Sequence, residues 1–99
     1  MIVSFKDKAT QHIADADNTK AARKALPVEL HKIARRKIDI LDFAPSLGAV
    51  AKVPANRLEK LRGDKRGQHS IRINSQYRIC FRWTDAGPTE VEVVDYHDG

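Results

Sequence analysis

Cysteine is nearly absent from this 99-residue chain: Cys80 stands alone, so no internal disulfide can close. That fits a reducing compartment and removes one common means of stabilising a small fold. Aromatic residues are scarce at 6%, yet the 41% of apolar residues recur in patterned stretches. The pattern argues against a disordered chain, and the length allows one modest core, hence a single domain over residues 1–99. No apolar run approaches the roughly 18 residues of a membrane span. The opening Met1 to Asp7 has neither the basic n-region nor the long apolar h-region of a secretion signal. It is therefore expected to stay in the mature chain, with the cytoplasm as the default compartment.

Negative charge is missing where positive charge is dense. Residues 52–82 carry nine Lys/Arg against two Asp/Glu, residues 83–99 carry none against five, and residues 1–51 carry nine against six. The net +5 thus averages a basic block and an acidic tail. Such a block is either a solvated face or a surface for a polyanion, with nucleic acid as the leading partner.

Periodicity orders the elements. Ile2, Val3 and Phe5 form a short β-type segment. A weakly amphipathic helix follows from Asp7 to about Ala16, with Ala9, Ile13 and Ala16 on one face, and Asp17-Asn18-Thr19 breaks it. Pro27 suits the first turn of a stronger helix, on which Leu26, Leu30, Ile33, Ile40 and Leu41 keep a 3.6-residue period until Phe43-Ala44, before Pro45. Residues 45–56 hold two prolines and Gly48 and are expected to connect, with room for one short turn of helix. The period then becomes two. Arg57–Leu61 is a short strand, Gly63 and Gly67 bracket a turn, and Gln68–Ile73 and Arg78–Trp83 alternate.

A one-residue slip between those last two strands would turn every side chain to the wrong face. Pairing Ile71 with Ile79 and Ile73 with Tyr77 keeps both apolar sets together and leaves Asn74-Ser75-Gln76 as a loop. The same register sets Arg72 opposite Arg78, with Ser70, Cys80 and Arg82 on that polar face. Two facing arginines repel, so either a bound polyanion resolves the conflict or both splay into water. Ala86-Gly87-Pro88 is expected to turn into a last strand, Thr89–Val94, with Val91 and Val93 on one side and Glu90 and Glu92 on the other. The layout is α+β: an N-terminal strand and two helices packed on one face of a curved, mainly antiparallel β-sheet, whose other face stays open for function.

Few residues look chemically active. The chain has no P-loop, dinucleotide fingerprint or Gly-x-Ser-x-Gly elbow, and His12, His31, His69 and His97 lack zinc-ligand spacing. His12 and His31 are expected to face solvent on helices, and His69 begins a strand. Cys80, in mid-strand beside Ile79 and Phe81, is a small half-buried residue rather than a nucleophile. Asp95-Tyr96-His97 joins a carboxylate, a phenol and a group titrating near neutrality, a set suited to proton transfer unless it is simply a frayed tail.

Four motifs in order give the chain a family resemblance. They are Leu58-Glu-Lys-Leu61-Arg-Gly63-Asp64-Lys-Arg-Gly67, Ser70-Ile-Arg-Ile-Asn74, Tyr77-Arg-Ile-Cys-Phe81 and the terminal Asp95-Tyr96-His97. Together with Ile2–Asp7 and Arg35–Leu41, they make the chain resemble the HigB-type toxins of bacterial type II toxin-antitoxin modules, members of the RelE superfamily. The resemblance implies a RelE-like fold and a ribonuclease that cuts mRNA in the ribosomal A site. It implies no metal or other cofactor, and a partner antitoxin of HigA type with a helix-turn-helix domain, the complex binding operator DNA to repress its operon. Arg78, Asp95, Tyr96 and His97 match the family's catalytic positions. Lys60, Arg62, Lys65, Arg66 and Arg72 would meet RNA phosphates. Glu59 stands where some members carry a histidine, and His69 where relatives often carry tryptophan. The alternative is a non-catalytic nucleic-acid-binding or antitoxin-titrating protein on the same fold.

Overall fold

The computed structural model describes residues 1–96. Helix α1 (Lys8–Ala14) starts at Asp7, whose carboxylate accepts from the Thr10 amide, the usual device for a helix N-terminus. Of the expected Ala9, Ile13 and Ala16, Ile13 is buried, joined by Thr10; Ala9 is half-buried and Ala16 is exposed in left-handed backbone, φ 62°. A second helix, α2 (Lys20–Ala25), is capped by Thr19. Local periodicity misses it because only Ala22 of its six residues is buried.

The expected long helix begins as a tight 3-10 turn, Val28–Leu30, and continues as α3 (His31–Phe43). Its buried stripe is His31, Ala34, Ile38 and Leu41. That is rotated from the predicted stripe, so Ile33 is left 38% exposed and Phe43 81% exposed. His31 also departs from its expected solvent position. It is buried, with Nε2 2.8 Å from the Leu26 carbonyl and 3.2 Å from that of Ala22, so one imidazole N–H joins α3 to α2. His12 is half-buried, its Nδ1 2.8 Å from Thr19 Oγ1. The connection that follows contains α4 (Leu47–Ala51), capped by Ser46, and a 3-10 turn at Pro54–Asn56.

Four antiparallel strands, β1 (Glu59–Lys60), β2 (His69–Arg72), β3 (Tyr77–Thr84) and β4 (Gly87–Asp95), lie side by side in sequence order. The β2–β3 register is the predicted one, with Ile71 beside Ile79 and Arg72 beside Arg78. The Asn74 side chain accepts from the amides of Gln76 and Tyr77 and shapes the loop between them. The last turn falls earlier than expected. Gly87 and Pro88 already belong to β4, opposite Thr84 and Trp83. At Gly87, φ is 124° and a Cβ would collide with the Met1 carbonyl oxygen, so only glycine fits beneath the N-terminal segment. That segment runs parallel to β4 through one bridge, Phe5 to Val91, and its Ile2 amide donates to Asp42 of α3.

On β4, Glu90 and Val91 together face Phe81, a bulge in which Glu90 adopts φ 53°. Bulges bend the strand and increase its twist, which curves the sheet. Helices α1, α2 and α3 all contact β4. Ile13, Ala22, Leu26, Ile38, Leu41, Ile71, Ile79, Phe81 and Val91 fill the core between helices and sheet. Beneath the helices, the Val93 amide donates to the fully buried Thr10 hydroxyl at 2.9 Å.

Candidate active site on the sheet face

Residues directly opposite in neighbouring strands point to the same side of a sheet. The register therefore builds one row across all four strands on the face away from the helices: Glu59, Ser70, Cys80 and Glu92. The next row holds Arg72, Arg78 and Val94. Ser70 and Cys80 are fully buried and form a floor, because longer charged side chains close over them. Burial pushes the Cys80 thiol up, with Lys65, Glu92, Arg78 and Lys6 as its charged neighbours.

Arg78 stands at the centre of this face. Its Nη1 donates to Ser70 Oγ at 3.4 Å and its Nη2 to Glu59 Oε1 at 3.3 Å. Its guanidinium carbon lies 5.1 Å from the centre of the Tyr96 ring, within cation–π range. Tyr96 is held there by its own amide, which donates to the Gln76 carbonyl at 2.7 Å. Glu92 receives Lys65 Nζ at 3.3 Å and Lys6 Nζ at 3.5 Å. Arg82 pairs with Glu90 at 3.0 Å and donates to the Arg66 carbonyl. Partly exposed pairs of this kind contribute at most about 1 kcal/mol each, so their main effect is to place charge rather than to stabilise the fold.

The expected repulsion between Arg72 and Arg78 is met within the chain. Glu59 lies against Arg78, so no bound polyanion is required to balance the pair.

The predicted site residues separate into groups. Arg72, Arg78, Tyr96 and Lys65 share the polar face. Asp95 pairs with Tyr77 and by alternation belongs to the other side of β4; Gln76 Nε2 approaches both its carboxylate oxygens at 3.3 Å. Lys60 pairs with His69 and also belongs to the opposite side. Arg62 and Arg66 are exposed beside the Gly63–Lys65 turn. His97 lies outside the described residues. That Ser70 and Glu92 both point away from the core could be inferred from strand alternation. The approach of Glu59 could not, since it depends on how β1 docks on β2.

His69 is half-buried, with its ring stacked on Phe81 at 6.2 Å and its Nδ1 buried without a hydrogen-bond partner. Burial, helped by Lys60, lowers its pKa from 6.5. Two cavities of about 270 and 240 Å³ lie on the helix side, and neither is lined by a predicted site residue. Among the described residues no helix is long and apolar enough to cross a membrane.

Residues 3–97 match the family model described as the RelE-like toxin of type II toxin-antitoxin system HigB. Toxin HigB-1 of Vibrio cholerae serotype O1 is 35% identical over 85 residues, 86% of each chain. An uncharacterised protein of Haemophilus influenzae is 33% identical over 58 residues, 59% of this chain and 57% of that one. The backbone is similar to a chain of the YoeB-YefM complex from Staphylococcus aureus, with a TM-score of 0.60 at 16% identity and 98% of both chains covered. That last likeness is one of fold.

Proposed function

Because the chain belongs to the HigB-like family, the RelE-like toxins of type II toxin-antitoxin systems, we propose that it is a ribosome-dependent endoribonuclease that cuts mRNA in the A site and so inhibits translation. The observation that carries this reading is the placement of Arg78: a forked guanidinium donor on a basic sheet face, with an aromatic ring beside it. In metal-independent cleavage the 2′-hydroxyl oxygen attacks the neighbouring phosphorus. A P–O bond forms, the bond to the 5′ oxygen breaks, one proton leaves the attacking hydroxyl and another reaches the departing oxygen.

Charge grows on the non-bridging phosphate oxygens in that transition state, and a guanidinium can hold two of them at once. Arg78 takes that role. Tyr96 stacks on a base or donates a hydrogen bond, His97 moves the proton, and Asp95 orients His97 or meets an RNA edge. Lys60, Arg62, Lys65, Arg66 and Arg72 neutralise phosphates of mRNA and ribosomal RNA, so binding weakens as salt rises. The protein acts in the cytoplasm, where a HigA-type helix-turn-helix antitoxin holds it inactive, and the pair represses its operon.

Primer extension on mRNA from translating ribosomes tests the site. Wild type should produce new 5′ ends, and Arg78→Ala and His97→Ala far fewer; undiminished cutting by both variants would reject the assignment. Growth arrest on expression, relieved by His97→Ala, separates this reading from a non-catalytic nucleic-acid-binding or antitoxin-titrating protein.

A further inference from the structure

The guanidinium assigned to the phosphate is already engaged. Glu59 takes one of its outer N–H groups at 3.3 Å, Ser70 takes another at 3.4 Å, and Tyr96 lies over one face. The Arg78 side chain is 16% exposed, whereas that of Glu59 is 49% exposed. The carboxylate is therefore the solvent-side partner, the one that an incoming anion meets first. Carboxylate and phosphodiester are both anions that use the same fork geometry. The two cannot share one N–H group, and placed side by side they repel.

We propose that Glu59 is an internal competitor for Arg78, a carboxylate latch that must leave before a phosphodiester can be held. Its place in the fold suits that task. Strand β1 has two residues and forms the outer edge of the sheet, so its side chain can swing into water without disturbing the core. The other two carboxylates of this face are taken by different cations, Glu92 by Lys6 and Lys65, and Glu90 by Arg82. The latch makes isolated phosphates, nucleotides and free RNA weak ligands. It yields to an RNA phosphodiester that a larger assembly already presents, where contacts elsewhere on the basic face supply the displacement. The consequence for substrate choice rests on the ribonuclease reading above; the competition at Arg78 does not.

The test uses the full chain, off the ribosome, and a short fluorescent RNA made uncleavable by 2′-deoxy substitution. Glu59→Gln removes the charge but keeps shape and an acceptor for Arg78, and Glu59→Ser is the second variant. Each should bind the probe about five- to tenfold more tightly than wild type, as expected from deleting one like charge beside a bound phosphate in a largely aqueous setting. In an Arg78→Gln background the same changes should gain less than about twofold, because the competitor no longer has anything to withhold. Unchanged or weaker binding overturns the latch, and so does an equal gain in both backgrounds, which would reflect general charge alone. Cleavage on translating ribosomes, measured in parallel, keeps the two ideas apart: a wild type that cuts nothing removes the ribonuclease reading, while an Arg78-dependent gain in affinity would still establish the latch.

Discussion

Replacing Thr10 with valine tests how the helices hold the strand that leads to the site. Thr10 is fully buried, and its hydroxyl accepts the Val93 amide at 2.9 Å across the helix–sheet boundary. Valine keeps the side chain's shape and removes only the acceptor. The Val93 N–H, two residues before Asp95, then stays buried without a partner, at a cost of about 1–3 kcal/mol. For a domain of this size each kcal/mol lowers Tm by about 4–8 °C, so the midpoint of thermal unfolding followed by circular dichroism should drop by about 4–24 °C. Hydrogen exchange adds a local reading: the Val93 amide should exchange only with global unfolding in wild type and faster than that in the variant. Thr10→Ser keeps the hydroxyl and loses a methyl group, so it should be the milder change. A Tm shift of less than about 2 °C for Thr10→Val, or serine proving more damaging than valine, would refute this role of the hydroxyl, since methyl packing would then be what matters.

Two further outcomes follow from burial. His69 has a folded pKa lowered below 6.5, so the unfolded chain takes up a proton more readily. Its contribution is fully present above the unfolded value and is lost as pH falls from there toward the folded one. Urea midpoints measured between about pH 7.5 and 5 should fall less steeply for His69→Phe, which retains a ring against Phe81; a slope equal to that of wild type would refute this. Cys80 is fully buried with its thiol pKa raised, so maleimide labelling of native protein should be slow and should track unfolding in denaturant. Prompt labelling under native conditions, with circular dichroism unchanged, would contradict the packing described.

Much of the sheet is legible in the chain because its information is local. Ile71, Ile73, Ile79 and Phe81 alternate with polar residues, and the penalty for a one-residue slip leaves a single sensible register, the one observed. The same parity puts Arg72 next to Arg78. Family motifs then name Arg78, Asp95, Tyr96 and His97 as candidates, although spacing along the chain cannot say that Asp95 pairs with Tyr77 while the Tyr96 ring comes to lie against Arg78.

Long-range packing settled the rest. Helix α2 has one buried residue and no stripe to reveal it. His31 is buried because carbonyls at Ala22 and Leu26 satisfy its N–H, a partnership invisible until two helices meet. The stripe of α3 is set by what it faces, which is why Ile33 lies outside it. Glu59 and Arg78 are 19 positions apart, and only the docking of a two-residue edge strand on β2 brings that carboxylate to that guanidinium. Alternation is a property of neighbours along the backbone, so composition and order are enough to specify it. Which charge answers which depends on contacts between distant segments, and those exist only once the chain has folded.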